Sequence, residues 1–392
     1  MKRILIFSLN YYPNVGGADI AVKEITDRIS PEDIEFHMVA HRFDRHHLTE
    51  ERVGQVVVHR IGGGSSRFSK FLYQFRAPLV VARLHQHHHV DATWAMMAHS
   101  AGVPAALFKL FYPRIPMLLT LQEGDPLPYI ERMMRPVWPL FSRAFTHADA
   151  IQAISTFLAD WARRRGARGP IEVIPNGVDI AHFSREYPSA AVAITRQSLG
   201  ARDGDTLLVT TSRLVRKNAV DDVIRALAEL PPSVRFIVYG VGPDEVALKA
   251  LARELGVEDR VRFMGQALHE DLPLALAACD IFIRPSRSEG MGNSFIEAMA
   301  ASIPVIATQE GGIADFLFDE KRNPGREPTG WAVDPDAPEQ IARTVEDILA
   351  HPAEVARVTA NARTLVREKY DWNLIAEKMR TLFDRLLDAQ KR

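Results

Sequence analysis

Two glutamates eight residues apart frame the segment in which this sequence concentrates its chemistry. Glu289 and Glu297 flank Gly290-Met291-Gly292-Asn293-Ser294-Phe295-Ile296, where a Gly-containing loop leads from an apolar strand into a helix. A carboxylate accepts hydrogen bonds from two vicinal hydroxyls, the arrangement that ribose and hexose rings present. The N–H groups of such a loop and of the opening helical turn suit a phosphate. A helix-cap acid followed by a surface glutamate gives the same spacing without any ligand. Upstream, Ser212-Arg213-Leu214-Val215-Arg216-Lys217-Asn218 follows another strand. Cations there suit an anionic leaving group, and a solvated loop is the plainer alternative. A third loop, Asn10 to Ala18, carries Gly16-Gly17 between the first strand and the first helix. Paired glycines admit a ligand close to the backbone, though a tight turn uses them equally well. The spacing is not G-x-G-x-x-G, so the dinucleotide fingerprint is absent.

These loops need strands and helices to hold them. Short β-branched runs alternate with amphipathic stretches along the chain, the pattern of βαβ units and parallel sheets. In the first half, strands are predicted at Arg3–Leu9, Glu35–His41, Val56–Ile61, Asp91–Ala95, Met117–Leu121, Ala150–Ile154 and Glu172–Ile174. Helices are predicted at Ala18–Ile29, Phe68–His85 and Ile130–Ala148. The second half repeats the design with strands at Thr206–Thr211, Val234–Tyr239, Val261–Met264, Ile281–Arg284, Val305–Thr308 and Trp331–Val333. After Asp334 the sequence is helical, with breaks at Pro352 and Tyr370-Asp371-Trp372. The expected organisation is a domain over 1–185, a second over 186–370, and a helix over 371–392 packing back on the first. The fold class is α/β: two Rossmann-like doubly wound domains facing across a cleft, with ligands at the carboxyl ends of strands.

Composition narrows the function. The chain has 392 residues, with 48 Lys plus Arg against 49 Asp plus Glu, and a net charge of −1. That length suits two domains, and a neutral balance argues against a nucleic-acid partner. The neutrality is an average. Between 60 and 120 lie seven basic residues (Arg60, Arg67, Lys70, Arg76, Arg83, Lys109, Arg114) against Asp91 alone. Cys279 is the only cysteine, so an internal disulfide and a thiolate metal cluster are excluded, which fits a reducing compartment. The N-terminal apolar run is too short for a signal peptide, and no stretch approaches 18 apolar residues. A cytoplasmic protein is expected, with peripheral contact at the inner face of the cytoplasmic membrane. Phe68–Arg83 and Tyr129–Arg143 mix aromatic with basic side chains, which suits an anionic bilayer surface, while core or cleft packing is the alternative. Asp203-Gly204-Asp205 and Asp334-Pro335-Asp336 fit D-x-D spacing but have turn composition. The histidines at 85 and 87–89, with His46-His47 elsewhere, offer metal-ligand types but lack acidic partners and ligand spacing, and the cluster reads instead as a solvated helix end. No metal is expected.

The loops occur with further stretches in matching order: Ile154-Ser155 after Ala148-Asp149-Ala150, Val173-Ile174-Pro175-Asn176-Gly177-Val178-Asp179, Tyr239-Gly240-Val241-Gly242-Pro243, Val261–Gly265, Ile303–Thr308, Gly311-Gly312 and Tyr370-Asp371-Trp372. Together they resemble glycosyltransferase family 4, retaining nucleotide-sugar enzymes of the GT-B fold. The resemblance is strongest over 148–315. It implies donor binding by the second domain, with Glu297 on ribose hydroxyls and Glu289 on the transferred sugar. Arg213, the backbone at Gly292-Asn293-Ser294 and the Gly16-Gly17 loop would contact the diphosphate. The second cation of the family stands five residues after the arginine; here that position is Asn218, and Lys217 is the candidate. Many relatives place a histidine after the strand ending Leu119-Thr120-Leu121, where this chain has Gln122-Glu123-Gly124-Asp125. Glu123 or Asp125 is then the candidate for sugar or acceptor contact.

The resemblance implies transfer from a nucleoside-diphosphate sugar to a glycan or lipid-linked acceptor, with no cofactor. Arg213, Lys217 and Glu289 would carry catalysis, the cations stabilising the departing diphosphate. Retention would follow the front-face route, in which a leaving phosphate oxygen helps deprotonate the acceptor. The rival readings are a sugar-nucleotide-binding protein with weakened catalysis and another GT-B enzyme, such as a nucleotide-sugar epimerase or a phosphorylase.

Overall fold

Runs of apolar residues build two sheets buried on both faces, as parallel strands require. Ile4–Phe7, Leu207–Val209 and Phe282-Ile283 are fully buried. The computed structural model describes residues 1–13 and 15–388. Asn14 of the first glycine loop and residues 389–392 of the predicted C-terminal helix lie outside the described residues. The chain divides into two compact units at Asn176/Gly177, inside the Pro175-Asn176-Gly177 turn, and the final helix Trp372–Asp388 belongs to the first unit.

The first unit holds eight strands: β1 (Lys2–Phe7), β2 (Ile34–His41), β3 (Glu50–Val53), β4 (Val56–Ile61), β5 (Ala92–Met96), β6 (Met117–Leu121), β7 (Ala150–Ala153) and β8 (Ile171–Val173). Their order is β3-β4-β2-β1-β5-β6-β7-β8, parallel throughout except for the antiparallel β3/β4 pair. β3 was not expected from the sequence. Three of its four residues, Glu-Glu-Arg-Val, are polar and the strand is half exposed, because an edge strand facing water needs no apolar alternation. The helix predicted over Ile130–Ala148 is interrupted: Leu127–Met133 and Trp138–Thr146 flank a 3₁₀ turn at Arg135–Val137. Pro136 inside that turn lacks the N–H a continuous helix would use. Helix Trp372–Asp388 buries Trp372, Ile375, Met379, Leu382, Phe383 and Leu386 on one face, at the spacing of an amphipathic helix. Phe383 reaches Trp94 with ring centroids 5.0 Å apart.

The second unit is a six-stranded, wholly parallel sheet. It comprises β9 (Thr206–Thr211), β10 (Val234–Tyr239), β11 (Val261–Gly265), β12 (Ile281–Arg284), β13 (Val305–Ala307) and β14 (Trp331–Ala332), in the order β11-β10-β9-β12-β13-β14. In each unit the first strand sits between neighbours whose connections run in opposite directions: β1 between β2 and β5, β9 between β10 and β12. The ends of such strand pairs are where doubly wound folds bind ligands.

Candidate functional site

At the carboxyl ends of β9 and β12 the structure leaves polar side chains that the protein itself does not satisfy. The hydroxyls of Thr210, Thr211, Ser212 and Ser286 and Nε of Arg284 are buried without a protein partner. Buried polar groups are nearly always paired, and an unpaired one costs about 1–3 kcal/mol. Five such atoms fall at this one pair of strand ends.

The segment after β12 forms the floor of this site and is anchored at three points. The Arg287 N–H donates to the carbonyl of Lys217 at 2.7 Å, and its guanidinium donates to the Arg216 carbonyl at 2.7 Å. The same guanidinium bonds Asp221, Asp222 and Asp336 at 2.6–2.9 Å. Arg287 thereby ties the Arg213–Asn218 loop to the Glu289 loop. Farther along, Thr308 Oγ1 donates to the Ser286 carbonyl at 2.6 Å, and the Gly312 N–H donates to the Glu289 carbonyl at 3.1 Å. A Cβ on Gly311 would stand 2.0 Å from that same carbonyl, so the clamp requires glycine there.

Glu289 and Glu297, singled out for their spacing, both lie in this unit with little exposure; their side chains are 12% and 10% accessible. Glu289 accepts from the Arg284 guanidinium at 2.8 Å and from the Gly290 N–H at 3.0 Å. Glu297 lies one turn into helix Asn293–Ala300, with His269 Nε2 3.5 Å from Oε1. Gly292 enters that helix at φ +86, in the left-handed region, and the helix begins without a side-chain cap. Ser294 Oγ accepts from Arg284 at 2.8 Å. Arg213 is exposed, while Lys217 is half-buried and holds the backbone contact to Arg287. Asn218, in the position of the second family cation, is buried, and its amide donates to the Arg213 carbonyl at 2.7 Å. Ala219 follows at φ +54.

In the first unit, carboxylates take backbone and side-chain donors near the corresponding strand ends, although Tyr11 Oη after β1 and His41 Nδ1 and Arg42 Nε at the end of β2 are also buried without a protein partner. Asp19 Oδ2 accepts from the Gly16 N–H at 2.8 Å and from Asn10 Nδ2 at 2.9 Å. Burial pushes the Asp19 carboxyl up to about 6, against the lowering effect of those two hydrogen bonds. Gly16 has extended backbone, and a Cβ there would make only an ordinary 3.5 Å contact with Asp19, so the fold alone does not demand glycine at 16. Gly17 opens helix Gly17–Thr26. Glu123, read from the sequence as a sugar or acceptor contact, is 2% exposed. Its carboxylate accepts from the Ala98 N–H at 2.6 Å and the Gln122 N–H at 3.0 Å, and His99 Nδ1 lies 3.3 Å away. It is built into the chain, whereas Asp125 is exposed.

Arg284 was missed as a site residue because it ends an otherwise apolar strand, Ile-Phe-Ile-Arg. The available signal was a charge in a buried strand with two glutamates downstream, since buried charges need partners. The histidines at 85–89 are not simply a solvated helix end: His88 stacks on His37 at 5.6 Å, and His37 Nδ1 lies 3.0 Å from His59 Nε2. Among the described residues, no group of three His, Cys, Asp or Glu is placed to hold a metal ion. The D-x-D aspartates serve the fold: Asp205 bonds Arg235, Asp334 bonds Arg322, and Asp336 bonds Arg287. Helix Arg67–His88 exposes Phe68, Phe71, Phe75 and Leu79 along one side and buries Tyr73, Ala77 and Val81 on the other. In the Tyr129–Arg143 stretch Ile130, Met134 and Phe141 are buried and the Arg165 guanidinium lies over the Trp138 ring, 4.1 Å from its centroid, while Tyr129, Arg132, Met133 and Arg135 are exposed. No helix among the described residues is long and apolar enough to cross a membrane.

Comparison with known proteins matches residues 15–182 to the profile of "Glycosyltransferase Family 4" and residues 192–365 to that of "Glycosyl transferases group 1". A GDP-mannose-dependent monoacylated alpha-(1-6)-phosphatidylinositol monomannoside mannosyltransferase of Corynebacterium glutamicum is 28% identical over 58% of this chain and 60% of its own length. The GDP-mannose-dependent alpha-(1-6)-phosphatidylinositol monomannoside mannosyltransferase of Mycolicibacterium smegmatis is 30% identical over 61% of this chain and 64% of its own length. The chain thus spans less than two thirds of the length of these curated relatives. Among solved structures, sucrose-phosphate synthase from Thermosynechococcus elongatus superposes with a TM-score of 0.84 at 21% identity, covering 99% of this chain and all of that one. With both profiles matched in order and this fold shared, the chain belongs to glycosyltransferase family 4 and has the GT-B fold of two Rossmann-like domains.

Proposed function

We propose that this protein is a retaining glycosyltransferase that moves a sugar from a nucleoside-diphosphate sugar to a hydroxyl of a glycan or lipid-linked acceptor. The observation that carries the reading is the set of buried, unpaired polar groups at the ends of β9 and β12, flanked by Glu289 and Glu297. Breaking the anomeric C–O bond puts negative charge on the leaving diphosphate. Arg213, Lys217 and the uncapped start of helix Asn293–Ala300 would stabilise it, with no metal in the scheme. Gly292, Asn293 and Ser294 would present the phosphate contacts, and Glu297 would hold the ribose. Glu289 would accept bonds from the transferred sugar. In the first unit, the Gly16-Gly17 loop would offer helix N–H groups to an anion. Asp125 is exposed and keeps its assignment to the acceptor, while Glu123 would act by holding the Ala98 turn.

The relatives that use GDP-mannose and phosphatidylinositol mannosides make GDP-mannose the first donor to try and a glycolipid the first acceptor. Action at the inner face of the cytoplasmic membrane belongs to the same proposal, through the exposed aromatic row of helix Arg67–His88 and its arginines. The test is a transfer assay with GDP-, UDP- and ADP-sugars, with the anomeric configuration of the product read by NMR. Transfer with retention is expected; binding without turnover would instead favour the weakened-catalysis reading, to which Asn218 in the family lysine position lends weight.

A further inference from the structure

The cation at the end of β12 does more than fill its place in the strand. Arg284 is 6% exposed. Nη2 donates to Glu289 Oε2 at 2.8 Å, and Nη1 donates to Ser294 Oγ at 2.8 Å and, at 3.4 Å, to the carbonyl of Thr211. The guanidinium lies over the Phe295 ring, 4.1 Å from its centroid. One side chain therefore touches the end of β9, the loop after β12 and the first turn of the following helix. A Cβ on Gly292 would stand 2.5 Å from Nη2, so the guanidinium also floors the turn through which the loop enters the helix.

Packing alone does not explain a charge here. Dehydrating a guanidinium is costly, and apolar side chains of similar volume commonly stabilise a buried site at least as well. The planar fork has another virtue: it holds a carboxylate and a hydroxyl at fixed separation, which a lysine ammonium cannot do. Nearby, Asn218 is buried with its amide on the Arg213 carbonyl, so the position that carries the second family cation brings no charge to these strand ends.

We propose that Arg284 is a positioning residue of the donor site, fixing the Glu289 carboxylate and the Gly292–Ser294 turn in register while keeping a positive charge beneath that turn. This rests on the donor-site reading above. The two can be separated, because a wild-type protein that binds none of GDP, UDP and ADP and transfers no sugar overturns the donor site before any variant is made.

The test is a cycle of Arg284→Met, Glu289→Gln and the double variant, with Arg284→Lys as the conservative control. Each is assayed for kcat and KM with the active donor and for affinity toward the free nucleoside diphosphate by calorimetry. Misplacing a contact group by about 1 Å costs about 10²-fold, so kcat should fall by about that factor in Arg284→Met. The double variant should be no worse than the poorer single one, because both remove the same arrangement. Arg284→Lys should recover part of the loss, and nucleoside-diphosphate affinity should move much less than kcat. Losses that multiply in the double variant, or wild-type kcat in folded Arg284→Met, would overturn the proposal. Where Arg284→Met alone does not fold because it strands a buried carboxylate, Arg284→Lys decides: wild-type kcat overturns the proposal, and a tenfold or larger fall with unchanged nucleotide affinity supports it.

Discussion

The two units share a strand plan but treat the ends of their central strands differently. In the first, carboxylates take the donors: Asp19 takes the Gly16 N–H and Asn10, and Glu123 takes two backbone N–H groups, while Arg60 Nη2 donates to the Tyr12 carbonyl at 2.6 Å and Tyr11 Oη, His41 Nδ1 and Arg42 Nε are left buried and unmet. In the second, hydroxyls of Thr210, Thr211, Ser212 and Ser286 are buried and unmet, while arginines stitch the surrounding loops into place. The second unit differs in setting four unmet hydroxyls on the same two strand ends as a buried arginine and two glutamates, Glu289 and Glu297, and that combination is the ground on which the donor site is proposed there.

The contrast can be broken in several places. The largest effect is expected from Arg213→Ala, whose side chain is exposed. If it serves the leaving diphosphate, kcat should fall about 10²–10³-fold, as when one preorganised donor is removed, with the melting temperature unchanged. Steady-state kinetics and calorimetry together check this.

Next comes a pH effect confined to the first unit. Asp19, buried, has its carboxyl pushed up to about 6, against about 4 in an unfolded chain. Between those values the native state binds a proton that the unfolded chain has released. Stability from this group is therefore intact below about pH 4 and lost as pH rises through 6, by up to about 3 kcal/mol. Asp19→Asn should abolish that share of the slope. Urea titrations at pH 4.5 and 7, followed by tryptophan fluorescence, report it, since Trp94, Trp138, Trp161 and Trp372 all lie in the first unit.

Two glycines sharpen the comparison further. Gly292→Ala meets Arg284 and the Phe295 ring at 2.5–2.6 Å with φ +86, and should cost about 1–3 kcal/mol in stability as well as donor binding. Gly16→Ala meets only an ordinary contact and should change stability by less than about 0.5 kcal/mol. If an anion approaches that loop, Gly16→Ala should still lower transfer. Thermal melts and kinetics of both variants distinguish a glycine the fold needs from one a ligand needs.

The smallest effect concerns the exposed row on helix Arg67–His88. Phe71→Ser should weaken flotation with phosphatidylglycerol vesicles by about tenfold, the worth of about 1.4 kcal/mol of apolar burial. Equal binding to phosphatidylcholine and phosphatidylglycerol vesicles would remove the anionic surface from the account.

Much of the fold was legible because buried parallel strands are continuous apolar runs, as at Ile4–Phe7 and Leu207–Val209. β3 escaped because a water-facing edge imposes no such run, and the helix over 130–148 was drawn through Pro136 because its apolar spacing continues on both sides. The candidate site was legible where its residues sit in loops or just past them: Glu289, Glu297, Arg213 and Gly292 stand out against their neighbours. It was not legible where a residue's role depends on what it touches across the sheet. Arg284 ends an apolar strand, and only the fold brings Thr211, Glu289 and Ser294 to it. Glu123 has the type of a ligand contact, yet its oxygens are committed to backbone N–H groups that the sequence does not place beside it.

In the proposed function, the ends of β9 and β12 bind a nucleoside-diphosphate sugar through Glu297 and its neighbours. Calorimetric titration of GDP, UDP and ADP into the wild type and Glu297→Ala tests it most directly. Saturable binding of at least one by the wild type is expected, with about 10–10²-fold weaker binding by Glu297→Ala, the worth of hydrogen bonds to a charged group. Binding of none of the three, or an unchanged dissociation constant in Glu297→Ala, would contradict it.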